Sequence, residues 1–188
     1  MTVIEGLEQS ERAYDQLVEV NQLLTDAVLN AFLFSWQWWL GIILFILPWV
    51  LWILYRDKKN TGRLLLGGFI TIILALSIDL IAISYGLWSY PMKFVPISPL
   101  LFLPYHFALA PVGVMFALQI KPNSHPIVKG VIFAAVGAFV GMNLFDALDF
   151  YNPKGWPTFY DFFIFLFLFL VAHLFSKIDS YHEKSDRS

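Results

Sequence analysis

Asp79, His106 and Asp146 can take up or release a proton, and each stands in a stretch whose other residues belong in oil. Asp79 is the single carboxylate of LSIDLIAISYGLWSYP, residues 76–91. A carboxylate at the centre of a bilayer costs about 2.5–3.5 kcal/mol on insertion scales, so such a group pairs with a partner or lines water. An aspartate and a histidine can share that cost. With a second acid they could relay a proton, act as general acid and base, or bind a divalent ion. Tyr105 beside His106, and Asn143 three residues before Asp146, complete the candidate ligand or proton site. No H-E-x-x-H or comparable spacing supports a metal, so none is expected. There is no G-x-S-x-G, P-loop or Rossmann glycine pattern, and no Cys, which removes the common nucleophiles and phosphate cradles and leaves catalytic residues and cofactors unspecified.

The surrounding composition says what must hold these groups. Of 188 residues 59% are hydrophobic, 18% aromatic and only 14% charged, which indicates a polytopic membrane protein. A net charge of −2, with no basic runs interleaved with aromatics, excludes a nucleic-acid partner. A hydrocarbon core of roughly 30 Å takes about 20 apolar residues as helix. Five stretches qualify, at 36–55, 64–87, 100–120, 127–149 and 158–176, joined by short connectors rich in Pro, Gly and charge. None alternates as a membrane strand does, so the expected fold is an all-α helical bundle with five transmembrane helices. At 100° per residue, Gly68, Ala75, Asp79, Ala82 and Gly86 share one stripe, and His106, Ala110, Gly113 and Ala117 another. Small residues let helices approach closely, so both stripes are predicted to face protein, bringing Asp79 and His106 inward at one depth. Gly137 and Gly141 form a third small-residue face, opposite the row Asn143, Asp146, Asp149. Asp161 with Tyr160, and Trp36 with Gln37, also enter their spans from the outer end. An outward-opening polar cavity floored near Asp79 and His106 is the resulting expectation. Trp36, Trp38, Trp39, Trp88, Tyr90 and Trp156 are predicted to form an outer interfacial belt.

Orientation is read from Lys and Arg in short loops. Arg56, Lys58, Lys59, Arg63, Lys121, Lys129, Lys177, Lys184 and Arg187 fall on one side, against Arg12, Lys93 and Lys154 on the other. The N-terminus is therefore predicted outside and the C-terminus in the cytoplasm. The first 30 residues lack a secretory-signal pattern, so the mature chain is expected to begin near Met1. Residues 1–35 read as an extracellular amphipathic helix, 36–176 as the transmembrane domain and 177–188 as a cytoplasmic tail. Leu7, Tyr14, Asn21 and Val28 recur every seven residues, with Leu17, Leu24 and Ala31 as a second row. The polar face is acidic, which disfavours anionic lipid. The heptad fits packing on another protein helix or resting on the chain's own bundle. Leu7, Tyr14, Leu17, Asn21, Leu24 and Val28 are the candidate partner contacts, in a homo-oligomer or with another membrane protein.

Asp79 followed by GLW-S-YP (Gly86, Leu87, Trp88, Tyr90, Pro91), a P-x6-P-V segment (Pro104, Pro111, Val112) ending in Gln119, and an R-D-K loop after Pro48 and Trp49 resemble an uncharacterised family of small multi-pass membrane proteins from endospore-forming Firmicutes. The resemblance covers roughly residues 36 to 176. It implies a bacterial cell membrane and carries no established activity or catalytic residue. The expected role is a binding, sensing or assembly component. Proton or small-solute translocation, and a membrane enzyme acting on a lipid or isoprenoid, are the alternatives.

Overall fold

The computed structural model describes residues 1–177, in which every regular element is a helix. The rest of the expected tail, with Lys184 and Arg187, lies outside the described residues. Helix α1 (Val3–Ala27) opens on a capping box. The Thr2 hydroxyl accepts from the Glu5 amide, and the Glu5 carboxylate accepts from the Thr2 amide at 2.7 Å. After a π turn over Val28–Phe32, Ser35 caps α2 (Trp36–Tyr55) by accepting from the Trp38 amide. The others are α3 (Thr61–Ser84), α4 (Tyr105–Gln119), α5 (Pro126–Ala147) and α6 (Thr158–Phe175).

Four helices, Trp36–Tyr55, Lys58–Ser84, Pro126–Ala147 and Thr158–Phe175, are long and apolar enough to cross a membrane. The stretch predicted at 100–120 yields only the shorter apolar helix Tyr105–Gln119. The reason lies in its first residues. Pro104 has no amide to give the Leu100 carbonyl, and the carbonyls of Pro99 and Leu101 accept from the Lys93 ammonium instead of from helix amides.

The small residues do set close approaches. A Cβ at Gly67 would meet Leu118 Cδ1 at 2.7 Å, and one at Gly68 would meet Met115 Sδ at 2.9 Å, so the bare α3 backbone here receives the Leu118 and Met115 side chains of α4 directly. α2 packs on α4, α6 packs on α3 and α5, and α5 touches α4 only lightly. Pro111 also lacks the amide that would serve the Phe107 carbonyl. Trp49 of α2 fills that vacancy, its indole N–H donating to Phe107 O at 2.7 Å. At one end of the bundle, Ser89 and Asn152 exchange backbone bonds of 3.0 and 2.8 Å, tying the two long connectors together. At the other, the Gln119 amide bridges the Asp57 amide and the Tyr55 carbonyl.

The 100° ruler fails at two places. α4 begins with a π segment, Tyr105–Leu109, and α5 contains another, Val136–Met142. A π turn takes one residue more than an α turn, which rotates all later residues of the helix by about 100°. His106 and Ala110 are buried, but Gly113 and Ala117 have turned out of the core to line a groove beside α5.

Candidate functional site

Asp79 projects from the inward stripe of α3, where Gly68, Ala75 and Ala82 are also buried. Gly86 lies past the helix end at φ +71°, where it closes the helix as Leu87 N–H reaches the Ala82 carbonyl at 2.9 Å. This turn sends the next segment back over the helix end and places Tyr90 above Asp79. His106 is held in the opening π turn of α4. Asp79 is 4% exposed and His106 0%.

His106 Nε2 lies 2.8 Å from Asp79 Oδ2, and the Tyr90 hydroxyl donates to the same oxygen at 2.7 Å. The His106–Asp79 contact is short but off the direction of a linear N–H bond, so it is an ion-pair approach more than a well-aimed hydrogen bond. On the ring's other side, Nδ1 lies 2.8 Å from the Phe102 carbonyl and 3.2 Å from the Phe102 amide. These contacts suit either role of Nδ1: protonated, it donates to the Phe102 carbonyl, and bare, it accepts from the Phe102 amide.

Aromatic rings enclose the pair. Tyr90 stacks on Phe102 at 5.1 Å, Tyr105 meets His106 edge-on at 5.0 Å, and Tyr151 lies 5.8 Å from Tyr90. Lys93 is 3% exposed, with its ammonium 5.8 Å from the Tyr90 ring. Burial lowers its pKa from 10.5 to about 8, with the Asp79 charge acting in the opposite sense. Burial, and after it Asp79, pushes the Tyr90 hydroxyl well up; burial, then Asp161, Asp79 and Asp146, raises Tyr151. The Tyr151 hydroxyl and Trp88 indole N–H are buried without hydrogen-bond partners. Asp161 is buried at the start of α6, accepting from the Trp156 indole at 3.0 Å.

Of the candidate ligand or proton residues, Asp79, His106 and Tyr105 come together. Asn143 and Asp146 do not: both are exposed. They come after the π segment of α5, and Asn143 turns its amide onto its own helix, donating to the Phe139 carbonyl at 2.8 Å. The space expected to open outward above the pair is filled by the segment carrying Tyr90, Lys93 and Phe102. Trp88 and Tyr90, expected in an interfacial belt, are core residues, whereas Trp36 and Trp39 are exposed. Sequence reasoning passed over Tyr90, Lys93 and Tyr151 as site residues. Their signal was available in one respect, since Lys93 is a cation in an aromatic connector near the only mid-span carboxylate of α3. Among the described residues no three His, Asp or Glu side chains converge as a metal would require.

On α1, Leu7 and Tyr14 are 62% and 64% exposed and Leu17 is exposed, while Asn21 and Leu24 are half-buried. Val28 is buried in its own chain, so it is not available to a partner. The root of α1, at Ala31 and Phe32, shares a cavity of about 390 Å³ with Pro91, Met92 and Asp149.

No protein-family model, curated protein or solved structure matches the chain.

Proposed function

We propose that this protein is a binding, sensing or assembly component of a bacterial cell membrane, in which α1 engages a partner and the Asp79–His106 pair responds. In this reading α4 is a fifth, short span. The excess of Lys and Arg in the 56–63 and 121–129 segments and in the C-terminal sequence supports an outside N-terminus and a cytoplasmic C-terminus. The observation that carries the proposal is a run of neighbouring groups. Leu7, Tyr14 and Leu17 of α1 are exposed, Phe32 just after α1 packs against the cluster that holds Tyr90 and Met92, and Tyr90 donates to Asp79. A shift at the root of α1 therefore bears on the hydroxyl that holds the carboxylate. Tight enclosure of the pair favours a switch over a conduit.

The test uses the full chain in proteoliposomes and detergent. Expected are no proton flux, an assembly larger than a monomer that shrinks when residues 1–33 are removed, and faster proteolysis of the 88–102 connector in Tyr90→Phe. Flux that vanishes in Asp79→Asn would replace this reading with translocation, and a monomer with or without residues 1–33 would end it. A second reading, an enzyme acting on a lipid or isoprenoid, is favoured by one feature. An apolar groove of about 360 Å³, bounded by Leu44, Phe133, Gly137 and Phe165, leads from the side of the bundle to Tyr105.

A further inference from the structure

We infer that the groove between α4 and α5 is a site for an anionic phospholipid, with an acyl chain along its apolar wall and the phosphate between Lys121 and Lys129. This inference needs the four apolar helices to lie in a membrane. It does not need the Asp79–His106 pair to act as a switch.

The groove exists because α5 packs on α6 and barely on α4. It has a volume of about 500 Å³, walled by Phe116, Ile132, Phe133 and Val136 and by the α4 faces of Gly113 and Ala117 that the π turn rotated out of the core. Its polar groups gather at one end: Lys121, Ser124 and Lys129. The Lys129 ammonium gives one donor to the Leu118 carbonyl at 3.1 Å, leaving two. Among the described residues neither Lys121 nor Lys129 has a carboxylate at ion-pair distance, and the charged neighbours of Lys129 are Lys177 and Arg63. A slot that is apolar along its length and cationic at its mouth matches the two parts of an anionic lipid. Basic pockets between spanning helices recognise such headgroups.

Depth agrees with this. At 1.5 Å per residue, the 15 residues of Tyr105–Gln119 cover only about 22 Å, short of a hydrocarbon core of roughly 30 Å. The connector after α4 is thereby drawn toward the acyl boundary, where phosphates lie. Lys129, one turn inside α5, can snorkel to the same level. A neutral lipid would fill the slot and leave the cations unanswered.

The full chain, purified in detergent and incubated with an equimolar mixture of phosphatidylglycerol and phosphatidylcholine, should retain phosphatidylglycerol in preference on native mass spectrometry. The Lys121→Gln/Lys129→Gln double variant should lose about ten-fold of that preference, whereas Lys121→Arg/Lys129→Arg keeps it. Val136→Trp, at a position 57% exposed, fills the groove without touching the core and should lower retention of both lipids. This variant decides the matter if the Gln pair fails to fold. Equal retention of the two lipids by the native chain would overturn the proposal. So would a preference that survives the Gln pair, Val136→Trp binding like the native chain, or displacement of the lipid by millimolar inorganic phosphate, which would mark a free-anion site.

Discussion

The aspartate of α3 and the polar row of α5 look alike on paper, each placing Asp among apolar residues in the same half of the chain's spans, but the protein treats them oppositely. Asp79 has His106 and Tyr90 on one oxygen and almost no exposure, while Asn143 and Asp146 face outward. The difference lies in what shares each residue's face. Asp79 stands on the α3 stripe of Gly68, Ala75 and Ala82, all buried. On α5 it is Gly137 that packs on Phe165 of α6, and at 100° per residue Asp146 lies on the opposite side. The π segment Val136–Met142 shifts that face without bringing Asn143 or Asp146 into the core.

The contrast can be broken most forcefully at Asp79. Replacing it by Ala leaves His106 and the Tyr90 hydroxyl facing a buried void, with an expected loss of about 3–5 kcal/mol, read as the shift in detergent-denaturation midpoint. An apolar pair, Asp79→Leu with His106→Leu, should cost less than the sum of the single changes, because no unpaired polar partner remains. If the costs add, the two side chains are not coupled. Next in size is Tyr90→Phe, which removes one donor to the carboxylate for about 1.5–3 kcal/mol; an unchanged midpoint would mean the hydroxyl is dispensable.

A smaller effect sharpens the contrast through pH. The folded chain holds Lys93 at a pKa of about 8, below its ordinary 10.5. Between those values the unfolded chain keeps a proton that the folded chain has released, so this lysine's contribution to stability rises with pH across the window. Below pH 8 the cost of charging it in a buried place is fully felt. The difference in stability between Lys93→Met and the native chain should therefore shrink as pH is raised from 8 toward 9.5, followed by thermal melts. A constant difference would show the ammonium to be solvated. Smallest of all, Asp146→Asn should move the midpoint by no more than about 0.5 kcal/mol, as for an exposed position. A large loss there would erase the distinction between the two regions.

Helix extents were legible because hydrophobic length and breakers are local: Trp36–Tyr55 coincides with the predicted 36–55, and the other spans begin or end within a few residues of their Pro, Gly or charged boundaries. The inward placement of Asp79 was legible because small residues, Gly68, Ala75 and Ala82 within the helix, mark its face. The lid was not. Tyr90 reaches Asp79 through the turn at Gly86, and Lys93 is fixed by carbonyls freed at Pro99 and Leu101, so both depend on where a connector folds back, for which hydropathy has no signal. The aromatic side chains of that connector suited an interfacial belt equally well by composition, and only the fold separates Trp88 from Trp36.

Trp49 and Phe107 have a consequence for how the chain assembles. Their bond joins residues 58 positions apart, and α2 finds its packing on α4 and not on its immediate successor α3. During synthesis the indole is made first, as a donor with nothing to serve, and the carbonyl bared by Pro111 follows two helices later as an acceptor without a helix amide. Buried away from water, each stays costly until they meet. The proline that weakens α4 on its own is thus what gives the nascent chain a chemical address for α2, a fixed appointment between non-neighbours written by one missing hydrogen.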